Sequence, residues 1–247
     1  MPLRSRHLFL AIAFAIASSA PTLAQAVPQE RAAVMIGVSQ QTTSTTFTQS
    51  ISFEAYAETG TLNTSTLIAQ HPRFDAGAVV RVWRGFGVGI AGNAMSGTDT
   101  AQIDGQIPHP INANQPRPLS GTADVFHHER AVHLQAAYWV QPAPRVDVIV
   151  GAGPSFMEVE QDFVSDVSYT QTFPYDSVTF QSATLTREQK SVIGFNAGGQ
   201  VGVRLMSHVG VAGVVRYSHG TASFPDTGAT SVKLGGLELG GGLHLTF

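Results

Sequence analysis

From Leu234 to the terminal Phe247 the sequence alternates. Leu237, Leu239, Leu243, Leu245 and Phe247 share one parity, while Glu238, His244 and Thr246 share the other. Side chains leave a β-strand on opposite faces in turn, so this segment reads as a strand that is apolar on one side and polar on the other. Such a strand needs partners with the same two-sidedness. The chain has no cysteine, so the sheet it joins must be held by a large core or by complete strand closure rather than by disulfides.

The other end of the chain places it outside the cytoplasm. Arg4, Arg6 and His7 precede an apolar run, Leu8 to Ala17, and Ala24-Gln25-Ala26 then supplies a small-x-small site. These are the parts of a secretory signal peptide, with cleavage expected after Ala26 and the site ending at Ala24 as the alternative. The mature chain would have roughly 220 residues, suited to one all-β domain. Beyond the leader no run of 18 apolar residues suggests a transmembrane helix. A net charge of −3 and the lack of a basic patch with interleaved aromatics argue against a nucleic-acid partner.

Period-2 segments recur through the chain. Val209, Val211, Gly213, Val215 and Tyr217 face one way, as do Ile193, Phe195, Ala197, Gly199, Val201, Val203 and Leu205 on the segment before. Upstream the same pattern carries Val146, Val148, Val150, Ala152 and Phe156, then Val132, Leu134, Ala136, Tyr138 and Val140. Two further strands carry Phe86, Val88, Ile90 and Ala94, and Phe74, Ala76, Ala78, Val80 and Val82. The last partner is assigned to Ile51, Phe53, Ala55 and Ala57. With the C-terminal strand this makes about eight strands of the length that crosses a bilayer at a tilt.

Connections alternate in length. Met206 to His208, Gln141-Pro142-Ala143-Pro144 and Arg84-Gly85 are short turns, whereas Gly60 to Pro72, Gly97 to His128, Glu158 to Gln189 and Gly220 to Thr230 are long and polar. Residues 27–49 read as a lead-in before a barrel domain of residues 50–247. Ala33 to Val38 could add a strand, so ten strands remain open.

The expected fold is therefore all-β: a single up-and-down antiparallel barrel. Lipid outside would require charges to take the inward parity, because Arg or Lys facing the bilayer midplane costs about 2–4 kcal/mol. Glu54, Glu58, Asp75, Arg81, Glu129, His133, Asp147, Lys190, Arg204, Arg216 and Glu238 do so, while Arg130 and Lys233 fall at strand ends. A soluble lipocalin-like barrel would reverse inside and outside. Terminal Phe247, strand faces rich in Gly and Ala, and the alternation of short turns with long loops favour the membrane version.

On these hairpins, and on the ending Leu243-His244-Leu245-Thr246-Phe247, residues 50–247 resemble the small Gram-negative outer-membrane barrels of the OmpX/OmpA transmembrane-domain type. The resemblance implies an outer-membrane location, contact with outer-membrane lipid, and recognition of Leu243, Leu245 and Phe247 by the barrel assembly machinery. It is silent about activity.

Eight strands leave an interior that side chains can fill. Glu54, Asp75, Arg81, Arg204, Arg216 and Glu238 are then expected to form a lumenal charge network, since an unpaired buried charge is costly. No cofactor or metal is called for. His127 and His128 would point to opposite faces of a strand, and His109 and His133 lack acids or Cys at ligand spacing. Tyr217-Ser218-His219-Gly220-Thr221-Ala222 is similar in position to the His-x-Ser-Asn motif of lipid A deacylases, with Thr221 in place of the nucleophile and Ala222 in place of Asn. His219, Thr221 and Glu238 are weak catalytic candidates on that basis. The expected function is a non-enzymatic monomer, structural or interacting with a surface partner through its loops. A narrow channel or small-solute binder is the alternative, and a lipid hydrolase comes third.

Overall fold

The computed structural model describes residues 30–247. The expected signal peptide and the start of the lead-in segment lie outside the described residues. Ten strands follow: β1 (Ala32–Gln41), β2 (Thr45–Ala55), β3 (Glu58–Ile68), β4 (Pro72–Trp83), β5 (Phe86–Ile107), β6 (Arg117–Ala143), β7 (Val146–Thr170), β8 (Thr179–Arg204), β9 (Val209–Ala222) and β10 (Val232–Thr246). All pairings are antiparallel, and eight strands close a ring in the order β1-β4-β5-β6-β7-β8-β9-β10, with β10 returning to β1. Closure satisfies every wall strand on both sides, so the barrel has no free edge in its lower half.

The wall differs from the sequence reading at one strand. Ile51, Phe53 and Ala55 belong to β2, which pairs with β3 as a hairpin outside the ring. The eighth wall strand is β1, paired with β10 on one side and β4 on the other, so the barrel begins inside the segment read as a lead-in. The residues explain the choice. β1 turns Val34, Ile36 and Val38 outward, whereas the face of β2 opposite Ile51 and Phe53 carries Thr46, Thr48, Ser50, Ser52 and Glu54, which lipid would not accept. Both segments alternate; only one has an outer face suited to hydrocarbon.

The outward residues form a continuous band. Across neighbouring strands Ile36 meets Leu243 and Ala76, Ala78 meets Ile90, Ile90 meets Leu134, Val132 meets Phe156, and Phe156 meets Ile193. Ile36, Val80, Val88, Ile90, Val150, Ile193, Val201, Leu239 and Leu243 are all exposed, yet the outward positions between the turns and this upper row hold no Asp, Glu, Lys or Arg. Buried charges with an exposed aliphatic belt are the inverse of a soluble barrel, and they match a transmembrane one.

The three short turns expected from the sequence lie at one end. Arg84-Gly85 joins β4 to β5 with Arg84 at φ 52°, and the β6–β7 and β8–β9 turns share that rim. At the other end β5, β6, β7 and β8 run on for 22, 27, 25 and 26 residues in all. About 9–11 residues suffice to cross, so their outer halves stand roughly 30 Å above the band. β3 joins this extension through Thr61–Thr66 against Ala101–Gln106. Of the stretches read as long loops, Gly60 to Pro72, Gly97 to His128 and Glu158 to Gln189 are therefore mostly strand, with only their tips, such as the Pro-rich link between β5 and β6, irregular; Gly220 to Thr230 is mostly the β9–β10 turn with a short 3-10 helix at Pro225–Thr227.

Candidate functional site

The inward face is the first candidate, and its side chains fall into layers. Next to the short turns, Asp147 is fully buried. Its Oδ1 accepts hydrogen bonds from Trp139 Nε1 at 3.1 Å and Gln141 Nε2 at 2.8 Å, and its Oδ2 lies 3.4 Å from both His244 Nε2 and Arg204 Nε. The Arg81 guanidinium sits 4.3 Å from the Trp139 ring centroid, a cation–π contact. Gly202 makes room for this layer: a Cβ there would come within 2.6 Å of the His244 ring.

Higher in the lumen the charges form one cluster. Arg216 grips Asp75 through two nitrogens, at 2.5 and 3.1 Å, and lies 3.7 Å from Glu238. Arg73 donates to Glu129 at 2.6 Å, and its Nε is 3.8 Å from Glu238. Asn93 donates to both Glu238 oxygens, and His133 bonds Ser155, which also accepts from Asn196. His127 sits between Gln161 and Glu129. Bidentate guanidinium–carboxylate geometry and full burial make this a rigid plug of polar side chains.

Below the cluster a cavity of about 50 Å³ remains, bounded by Met35, Val79, Ile149, Asp75 and Arg216, with room for a few waters and no more. Above it the lumen turns apolar. Phe47, Met95, Met157, Phe163, Phe224 and Leu234 pack together, with the Phe163 ring 5.7 Å from Phe47 and 4.9 Å from Phe224. A second apolar cluster, Leu62, Ile103, Ile107, Leu119, Val164 and Val167, fills the inner face of the extension.

Of the six residues expected in one lumenal network, the structure brings three together: Asp75, Arg216 and Glu238. Arg81 and Arg204 lie in the separate layer around Asp147. Glu54 is on β2, exposed above the membrane, where it accepts a hydrogen bond from Thr59. It leaves the network because β2 is not a wall strand. Glu129, expected to face inward but not in the network of six, joins them through Arg73, which was not expected at all although it lies two residues before Asp75 and so shares its inward parity. That spacing was the available signal.

The weak catalytic set does not assemble. Glu238 faces the lumen at 1% exposure. His219 and Thr221 alternate with buried Ser218, Gly220 and Ala222 and point out of the barrel, His219 lying against Phe195. A carboxylate inside the wall cannot orient an imidazole outside it. The histidines also separate: His127 and His133 are in the lumen, whereas His128 stacks on Phe126. Among the described residues no group of three or more His, Cys, Asp or Glu is placed to hold a metal ion.

No protein-family model and no curated protein matches the sequence. Solved outer-membrane barrels do match it. OprG of Pseudomonas aeruginosa is 11% identical, with 88% of this chain and 96% of that one covered at a TM-score of 0.46. Ail, the attachment invasion locus protein of Yersinia pestis, is 9% identical over 87% and 99% at 0.38. The outer-membrane protease OmpT of Escherichia coli is 10% identical over 87% and 97% at 0.41.

The second candidate is the external sheet. At its tip Arg117 is buried and donates to Gln171 Oε1, Tyr175 O and Pro108 O. His109 accepts the backbone N–H groups of Ile111 and Asn112 on its Nδ1. Lower down, Arg187 bonds Asp162 through Nε at 2.7 Å and Nη2 at 3.1 Å. That contact holds the Asp162 carboxyl below its ordinary range, helped by the Phe126 N–H. The outer strands are thus fixed as a sheet rather than left as loops.

Proposed function

We propose that this chain is a non-enzymatic, monomeric outer-membrane barrel whose lumen is a structural plug and whose working part is the sheet above the membrane. The observation that carries this reading is the disproportion along β5–β8. Fewer than half of their residues are needed to cross, and the rest build a packed sheet with its own apolar core. The lumen below offers three successive barriers: the Phe47–Phe163–Phe224 layer, the Arg73–Arg216 cluster and the Trp139–Asp147 layer. A solute path would have to displace all three.

The reading includes contact of the aliphatic belt with outer-membrane lipid, and use of Leu243, Leu245 and Phe247 as the signal read by the barrel assembly machinery. It places the partner outside the cell, at the sheet and its tips. Planar-bilayer recording tests the closed lumen: purified protein should give no discrete conductance steps. Steps that shift when Arg216 is neutralised would establish a channel instead. Removing residues 109–116 from the β5–β6 tip, or 172–177 from the β7–β8 tip, should weaken binding to a surface partner while leaving assembly intact.

A further inference from the structure

Above the membrane the ring is open along two lines: the β6–β7 ladder ends at His127 and Gln161, and the β8–β9 side opens as well. The β8–β9 ladder begins only at Phe195, so from Thr179 to Gly194 β8 is paired on its β7 side alone. Across the gap stands β2, paired to β3 along its length and touched on its other side by the β9–β10 turn, where Ser50 N donates to Gly228 O and Thr230 N to Thr48 O. Gly228 has φ +69°, and a Cβ there would meet Ser50 O at 2.2 Å, so the turn closes tightly under β2. Between the two edges lies a cleft of about 350 Å³. Ile51, Phe163 and Val164 form its apolar wall, and Thr186, Glu188 and Asp226 its polar rim.

A long free edge is normally blunted by charges, prolines or a cover, because every second residue along it offers an unpaired N–H and C=O. Here Thr179 to Thr186 is uncharged and β-prone (Thr-Phe-Gln-Ser-Ala-Thr-Leu-Thr). Arg187, which would be the natural guard, is drawn away to Asp162 and Glu160 and lies over the Phe126 ring at 4.4 Å. The charges lining the cleft are both acidic, Glu188 and Asp226. We propose that the cleft between β8 and β2 takes an extended, cationic peptide segment of another polypeptide, which pairs antiparallel with β8 between Thr179 and Glu188. This rests on the surface-interaction reading above and gives it a place and a chemistry. Main-chain hydrogen bonds supply the recognition, and Glu188 and Asp226 select the charge.

A second copy in the same membrane does not fit. Antiparallel pairing of β8 with itself needs a two-fold axis perpendicular to the strand, roughly in the membrane plane, which would invert one of the two barrels.

The test uses the full mature protein in lipid nanodiscs and the synthetic peptide Ac-Lys-Thr-Val-Lys-Val-Thr-Lys-amide, read by backbone hydrogen exchange. Two controls accompany it: the same peptide with Glu for Lys, and one N-methylated at alternate residues so that it cannot pair on an edge. The cationic peptide should slow exchange along Thr179–Gly194, the Glu peptide should bind about tenfold more weakly, and the N-methylated peptide should give no protection. Glu188→Lys combined with Asp226→Lys should reverse the charge preference, with heat-modifiability on a gel showing that the barrel is intact. Absence of β8 protection by any peptide, or equal protection by the N-methylated one, would overturn the proposal. Protection confined to the tip around residues 108–116 would overturn the cleft while leaving the surface-interaction reading standing.

Discussion

Arg216→Met is the most direct test of the lumenal plug. Arg216 is 5% exposed and Asp75 1%, and the guanidinium grips the carboxylate at 2.5 and 3.1 Å. Two unit charges about 3 Å apart attract by about 5 kcal/mol at an effective dielectric of 20. Mutational experience with one-sided removal of a buried pair gives a similar figure, about 3–5 kcal/mol, because the remaining charge stays buried without its partner. Arg216 also faces Glu238, so its loss leaves two carboxylates short of a cation, and the upper part of that range is expected. Combining Arg216→Met with Asp75→Asn removes the stranded charge and should recover most of the loss, with a coupling of at least about 2 kcal/mol. Urea unfolding in lipid vesicles would read both, followed by fluorescence of Trp139, which sits inside the lumen, and Trp83, which is exposed at the lower rim. A single substitution that costs less than about 1 kcal/mol, with no coupling in the double variant, would refute the reasoning. It would mean that these charges are hydrated and the lumen is more open than its packing implies.

Other perturbations separate the remaining parts. Gly202→Val places a side chain on the His244 ring, so it should push His244 away from Asp147 and lower stability by about 1–3 kcal/mol in the same titration. Asp162 has a depressed pKa in the folded sheet, so its contribution is present above the unfolded carboxylate range and is lost as pH falls through the folded value. The protection of the outer strands, taken relative to the intrinsic exchange rate at each pH, should therefore fall on acidification, and Asp162→Asn should flatten that dependence; an unchanged acid limb would remove the Asp162–Arg187 contact as its cause. Deleting Phe247 should abolish the compact, unboiled band in the outer-membrane fraction if the C-terminal strand is the assembly signal. Ala substitutions at His219 and Thr221 should leave folding intact and reveal no ester turnover to lose, since both side chains point away from Glu238.

The physics of one strand at a time was legible in the sequence. Alternation assigned Phe74 to Val82, Phe86 to Ala94, Val132 to Val140 and Leu237 to Phe247 to wall strands with the correct outward faces; prolines and a glycine marked two of the short turns, and the break in alternation at Met206 to His208 marked the third. The same parity sent Asp75, Glu129, Asp147, Arg216 and Glu238 inward. What alternation cannot encode is which strands are neighbours. β2 has a period-2 pattern as regular as that of β1; the pairing of Ala33–Gln40 with both β10 and β4 made β1 the wall strand and left Glu54 outside the lumen, and the apolar outer face of β1 suits that place. Level along the barrel axis is equally hidden, because it depends on register and tilt. Arg81 and Arg204 have the inward parity of Arg216, but closure set them at the lower rim beside Asp147, while Arg73 met Glu129 and Glu238 in the middle. The open edge of β8 is likewise a product of tertiary structure: it exists because β9 and β10 stop short of strands that continue beside them, a mismatch of lengths visible only once the ring is closed.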